Sequence, residues 1–538
     1  AMARGIEYPW VGRDDPRTDT RRDDLAVLAE RGLLELRLLE DLVVLDELSS
    51  EKELSGLQIQ LGRYARVEAL LNTLLPIYEK QYGNNSIRLI EPLVDRGLLT
   101  LAKGDYTEAE KIAQRSSQIA LSVYGEKSTK ASSTQRLLSD IYYTIGDYDK
   151  AESNIEKALA SQENQFGRNH IEVAKSLSQL GLIRFYKGEK MADVEKVMLE
   201  ALDIMGKRLG KDNPQYAEIL KNVATLYIAQ KKYSQAFTAL TQAETIWLAK
   251  AGRKNNINLA SIYTLTGDVY YNQKNYAKAE EFYNKGKNLY LNKFSKTHPE
   301  YVKVLSKQAK VYYMQKDFKQ AKRNIEEALT NYENFIKQFF PALSEREKAK
   351  YWNTIKGDFE FYNTLAFGNL EDFRDLSGKV YNYQLLTKAL LLSSSIKIRE
   401  RILNSKDETL KANYNLWVLK KEALTNALSM STQQLLDGGI DPVALNNEVE
   451  RLEKELSEKS EIFGQNFENK KIAYTDVQAA IGKNDVAVEM VRFRHFDHVF
   501  TDSIIYVALY VKNDKARPKV IELPEGHRME TRYFKYYR

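Results

Sequence analysis

A seven-residue pattern recurs along this chain at intervals of 42 or 43 residues, and a period of that length restricts the fold more than any other feature. Its clearest copies are Gly104-Asp105-Tyr106-Thr107-Glu108-Ala109-Glu110 and Gly146-Asp147-Tyr148-Asp149-Lys150-Ala151-Glu152. Weaker copies begin at Gly62, Lys231, Lys274 and Lys316, the last two reading Lys274-Asn275-Tyr276-Ala277-Lys278-Ala279-Glu280 and Lys316-Asp317-Phe318-Lys319-Gln320-Ala321-Lys322. A unit of this size cannot bury its own apolar face, so such units stack into a solenoid with a shared core. The repeat directs attention to binding before chemistry.

Within each unit the spacing predicts a pair of helices, such as Thr134–Ile145 and Ala151–Gln165, joined by a tight turn at Gly146-Asp147. The small Ala151 permits close approach of paired helices, and Tyr148 fills the space beside it. A second marker ends each unit: Tyr82-Gly83, Tyr124-Gly125, Phe166-Gly167, Leu209-Gly210 and Ala251-Gly252. Glycine at those places predicts a left-handed helix cap. Pro214 and Pro299 are placed to open the following helices. One unit departs: Gly188-Glu189-Lys190-Met191-Ala192-Asp193-Val194-Glu195 has an inserted residue and Val194 in place of the alanine, which predicts a distorted hairpin.

These residues resemble the tetratricopeptide repeat, in the longer 42-residue form found in kinesin light chains and many bacterial repeat proteins. The resemblance covers residues 50–340 and implies an α-solenoid that binds a protein or peptide partner. Residues 1–49 precede it with a different composition, the first lysine being Lys52 and the first asparagine Asn72. Two readings stay open for this segment: a capping helix, or a leader foreign to the rest of the chain.

Composition narrows the function classes. Eighty basic and 74 acidic side chains leave a formal charge of +6, and the signs are interspersed along the helices. No concentrated basic patch calls for nucleic acid. The sequence has no cysteine, which excludes disulfides, thiolate metal sites and cysteine nucleophiles within it. No stretch approaches the ~20 apolar residues of a membrane helix. The expectation is a cytoplasmic protein with no membrane contact and no cofactor, its oligomeric state undetermined.

Past Pro341 the repeat fades into a helical connector, residues 341–474. There Val443–Phe463, with Leu445, Val449, Leu452 and Leu456 at helical spacing, should pack antiparallel against Leu410–Leu428. From residue 475 to 538 the period changes. A helix at Asp476–Ile481 and strands at Asp485–Phe493, Ser503–Val511 and Lys519–Leu523 read as the opening of an α/β domain. The expected fold class is therefore mainly α: a tetratricopeptide-repeat solenoid, a helical connector and the first strands of an incomplete α/β domain.

Three stretches carry a second resemblance: Val380-Tyr381-Asn382 with Leu385–Ser393; Thr475–Ile481 with Ala487–Phe493; and Tyr506-Val507-Ala508-Leu509 with Pro518–Leu523. They resemble bacterial proteins that join tetratricopeptide repeats to a CHAT domain, a caspase-like peptidase fold. That resemblance implies a sensing arm followed by a protease whose His/Cys dyad lies downstream. No cysteine is present and none of the five histidines matches the family's motif, so no catalytic residue is assigned and the chain itself is expected to be inactive. The alternatives are a stand-alone adaptor similar to kinesin light chain, or a protease half completed by another chain.

For site residues, His495-Phe496-Asp497-His498 offers metal-ligand chemistry, but with no third ligand nearby it reads as a polar loop between strands, and no metal is expected. Tyr142, Tyr227, Tyr270 and Tyr312 sit at repeat positions that helix packing explains. The expected functional surface is the concave groove lined by the first helix of each unit. Aligning the repeats places there Arg136, Asp140, Tyr143, Lys221, Thr225, Thr264, Asp268, Tyr271, Asn272, Lys303, Ser306, Lys310 and Tyr313.

Overall fold

The computed structural model describes residue 59, residues 64–463 except 126–127, 252–255, 341–342 and 369–374, and residues 472–530 except 515, 525 and 529. The segment 1–49, Gly62 and Gly252 lie outside the described residues. The fold is mainly helical, a solenoid with a three-stranded antiparallel sheet at its C-terminal end.

The solenoid begins with α1 (Tyr64–Tyr82) and continues as six hairpins. They are α2 (Ile90–Ala102) with α3 (Tyr106–Tyr124), α4 (Thr129–Ile145) with α5 (Tyr148–Phe166), and α6 (Ile171–Lys187) with α7 (Met191–Leu209). Then come α8 (Pro214–Ala229) with α9 (Tyr233–Ala251), α10 (Asn258–Asn272) with α11 (Tyr276–Lys293), and α12 (Pro299–Met314) with α13 (Phe318–Phe339). The motif alanines Ala109, Ala151, Ala236, Ala279 and Ala321 are wholly buried, as close helix approach requires. Asp105, Asp147, Asn275 and Asp317 cap the second helix of their hairpins by accepting a bond from a backbone N–H.

The acidic residue after the motif alanine links one unit to the next. Glu110 accepts from the Tyr142 hydroxyl at 2.9 Å, Glu152 from Arg184 Nε at 2.7 Å and Glu280 from the Tyr312 hydroxyl at 2.9 Å. Each donor lies 32 residues further on. Where Phe237 replaces the acid, its ring packs edge-on against Tyr270 at 6.0 Å.

The two kinds of turn differ in backbone. Inside the hairpins Gly146 (φ 88°, ψ 9°) and Gly188 (φ 88°, ψ 26°) are left-handed, and Lys231, Lys274 and Lys316 adopt positive φ at the equivalent positions. Between hairpins, Gly125, Gly167 and Gly210 do not form the expected left-handed caps. They combine φ of 73° to 86° with ψ of 157° to 172°, an extended mirror region open essentially to glycine alone. The hairpin with the inserted residue loses its side-chain cap at Lys190, but Val194 is wholly buried and the two helices still pack.

The solenoid turns back on itself. His298, at the start of α12, approaches the carbonyl of Ala102 at 2.9 Å through Nε2, and the Tyr64 ring stacks on Phe294 at 5.5 Å. Helix α14 (Glu345–Gly368) then crosses from the early repeats to the late ones. Tyr351 meets Tyr106 near its N-terminal end, and Phe361 meets Tyr313 near its C-terminal end.

After α14 come α15 (Leu376–Asn404), α16 (Glu408–Leu428), the short α17 (Thr432–Asp437) and α18 (Pro442–Phe463). Helices α16 and α18 pair antiparallel, with Asn413 facing Glu455 and Lys420 facing Glu448. A buried ionic seam fixes α18 to the solenoid. Lys454 bridges Glu110 (2.7 Å) and Glu347 (2.8 Å), and Lys150 pairs with Glu347 (3.2 Å) and Glu450. Beyond α19 (Tyr474–Ala480), strands β1 (Val486–Asp497), β2 (Val499–Lys512) and β3 (Lys519–Leu523) form the sheet in the order β1-β2-β3. The first two strands are longer than the sequence predicts and run through the expected loop to His498.

These turns predict opposite responses to substitution. Lys231 pays the steric cost of the left-handed region, so Lys231→Gly should stabilise by about 0.5 kcal/mol. Gly146→Ala should destabilise by well over 1 kcal/mol, because it adds that strain and places a methyl 2.6 Å from Thr354 Cγ2 and 3.2 Å from the Lys350 carbonyl. Urea unfolding of both variants checks the pair.

Candidate functional site

Closure of the solenoid turns the expected groove into a chamber of about 1030 Å³. The first helices α4, α6, α8, α10 and α12 form its wall, and α14 crosses one side. Arg136, Asp140, Tyr143, Lys221, Thr225, Thr264, Asp268, Lys303, Ser306 and Lys310 all line it. Tyr271, Asn272 and Tyr313 do not. The Tyr271 ring stacks on His498 at the tip of the β1–β2 hairpin at 4.6 Å, and its hydroxyl donates to the His498 carbonyl at 2.7 Å. Tyr313 packs among Phe318, Phe361 and Phe496, while the Asn272 amide donates to the Asp268 carbonyl of its own helix at 2.8 Å. The hairpin thus covers that end of the groove. His498 is engaged by these tyrosines, Tyr276 included at 3.2 Å, and among the described residues no cluster of three metal-ligating side chains occurs.

The expected groove residues include none from the unit at 171–209, yet α6 contributes Lys175, Gln179, Leu182 and Tyr186 to the chamber. The signal was available. Gln179 follows Arg136 by 43 residues, Asn222 follows Gln179 by 43, and Tyr186 follows Tyr143 by 43. The insertion falls after the helix that carries them. Asp358 of α14 lies outside the repeats and had no such signal.

The cationic side chains of the chamber are each held by a carboxylate. Arg136 and Lys175 share Glu172, both at 2.7 Å, and Lys221 pairs with Glu218. Lys303 meets Glu300 at 2.6 Å, Lys307 meets Asp268 at 2.6 Å, and Lys310 meets Asp358 at 2.8 Å. Burial opposes the Lys307 ammonium, but the Asp268 charge and hydrogen bond outweigh it and raise its pKa. Burial likewise works against the Asp358 carboxylate, and Lys310, Ser306 and the Tyr332 hydroxyl (2.9 Å) overcome it, lowering the pKa. Asp140 differs. Burial dominates there, Arg136 opposes it only in part, and the pKa rises from 3.8 to about 6.

Between the charges stand amides, hydroxyls and rings. Gln179 donates to Asp140 at 2.6 Å and Asn222 to the Ser178 hydroxyl at 3.0 Å. Arg136 Nε and Gln215 Oε1 are buried without a protein hydrogen-bond partner. Tyr143, Tyr148 and Tyr186 form a mutual cluster with centroid distances of 6.0, 5.7 and 5.9 Å. Amide hydrogen bonding and aromatic contact are the interactions this lining offers.

Comparisons with known proteins identify the repeat. The tetratricopeptide repeat family model matches residues 89–164, 131–192, 172–249 and 258–334, so these residues carry tetratricopeptide repeats. Among curated relatives, the clustered mitochondria protein homolog of Danio rerio is 24% identical over 219 residues, 40% of this chain and 16% of the relative. The chain thus matches less than a fifth of that relative's length. Among solved structures, a putative kinesin light chain of Podosopora anserina with nearly identical TPR-like repeats is 19% identical, covering 39% of this chain and 98% of that one, with a TM-score of 0.30. A Rap protein complexed with competence and sporulation factor is 13% identical, covering 65% and 96%, with a TM-score of 0.44. No described helix is long and apolar enough to cross a membrane.

The raised pKa of Asp140 has a direct consequence. A carboxyl whose folded pKa exceeds its unfolded value opposes folding when ionised, and that cost is relieved as pH falls through about 6 toward 4. Relative to Asp140→Asn, the wild-type chain should therefore gain thermal stability as pH is lowered from 7.5 to 5. Parallel melting curves of the two proteins check the sign.

Proposed function

We propose that this chain is a protein-interaction scaffold that takes an extended peptide segment of a partner into the chamber. The observation that carries the reading is the chamber itself: a concave, half-polar space at the upper end of ligand-pocket sizes, lined from five successive repeats. Main-chain groups of an extended segment would meet Gln179, Asn222 and Gln215, and its side chains would meet Leu182, Ile219, Ile228 and Leu265. A finer reading makes the solenoid the sensing arm of a CHAT-type protein. Its support is the resemblance of residues 381–523 and the position of α14, which touches the chamber through Asp358 and the sheet through Phe361 and Phe496.

Selection from a random peptide library tests the binding reading. The purified chain should enrich a peptide family, and Thr225→Trp, which fills the chamber from a half-buried position, should abolish binding with little change in melting temperature. Enriched peptides that bind the Thr225→Trp variant equally well would refute the chamber as the site. With no cysteine in the chain, the same preparation should not cleave the selected peptides; reproducible cleavage by pure protein would contradict the sensing-arm reading.

A further inference from the structure

The charges in the chamber determine what kind of peptide it can take. Its lysines and Arg136 are committed to carboxylates of the same wall at 2.6–2.8 Å, with Lys221 held by Glu218. Asp140 is taken up by Gln179. A ligand carboxylate or ammonium entering this space meets cations and carboxylates that already neutralise each other, so it loses its own hydration for little net attraction. The balanced pairs therefore favour neither sign.

The groups left to bind are of another kind. Arg136 Nε and Gln215 Oε1, one donor and one acceptor on chamber-lining residues, are buried without protein hydrogen-bond partners. The Tyr186 ring is 47% exposed and leans on Tyr143 and Tyr148, so an aromatic platform faces the chamber. Flat rings of this kind are completed by another ring, stacked or edge-on.

We infer that the partner segment is an extended peptide without net charge in its bound stretch, anchored by an aromatic side chain on the Tyr143–Tyr148–Tyr186 platform. This rests on the peptide-chamber reading and specifies it. Binding then owes little to long-range attraction, and its affinity changes little with ionic strength.

Three sets of capped octapeptides test the inference by isothermal titration against the full chain at 50 and 300 mM salt. One set is uncharged Ser/Gln/Ala sequence with one central Phe, Tyr or Trp; the second adds two Glu, and the third adds two Lys. The expected result is binding of the uncharged aromatic set, at least tenfold tighter than either charged set and changing less than twofold with salt. Tyr186→Ala should weaken it tenfold or more, and Tyr186→Phe should restore it, which separates loss of the ring from any general loss of structure. Preference for either charged set, or an affinity unmoved by Tyr186→Ala, would overturn the inference while leaving the chamber reading in place. Absence of binding by all three sets, with library-selected peptides also absent, would overturn the chamber reading itself.

Discussion

Two carboxylates anchor one helix, α14: Glu347, wholly buried, and Asp358, half-buried on the chamber wall. Glu347 and Asp358 lie eleven residues apart on α14, about three turns. The first pairs with Lys150 of the early repeats and Lys454 of α18, and the second with Lys310, Ser306 and Tyr332 of the last hairpin. Each is held ionised by its partners, so each fixes position as well as contributing energy. At the wholly buried Glu347, removing one partner costs about 3–5 kcal/mol, because a charge is left without compensation. Helix α14 thereby ties the early repeats to the last hairpin, alongside the direct contact of His298 with Ala102.

The same helix links the chamber to the sheet. Glu360 binds Arg494 of β1 through two bonds of 2.7 and 2.8 Å, and the Thr364 hydroxyl accepts from the Phe496 N–H at 3.2 Å. The hairpin tip then reaches back to Tyr271 and Tyr276, so one body joins groove, strut and sheet. Any ligand that shifts α14 against the repeats bears on both ends of this chain of contacts.

Much of the fold was legible in the sequence because it follows from local chemistry. The repeat period, the motif alanines and the capping Asp and Asn residues each act within one hairpin, and one hairpin is what a local pattern encodes. The bonds between units follow the same period but emerge only from the structure: the glutamate after the alanine, at Glu110, Glu152 and Glu280, meets a donor 32 residues on. The strand ends were less legible, since Phe496 looks like a loop residue until its burial against Phe361 is seen. What could not be read was closure. The contact of His298 with Ala102 spans 196 residues and depends on small rotations accumulated over several units, which no single motif records. For the same reason Tyr271 and Tyr313, correctly placed on first helices, turned out to be covered by a hairpin more than 180 residues away.

The central claim is that the solenoid closes so that its early and late repeats share one chamber. A cysteine-free sequence makes this directly measurable, because two labels can be placed without background. Spin labels at Lys103→Cys and Lys296→Cys sit beside Ala102 and His298, on solvent-exposed residues. Closure predicts a single, short and narrow distance between them in solution. A broad distribution centred on long distances would show an open solenoid, and the chamber with everything built on it would fall.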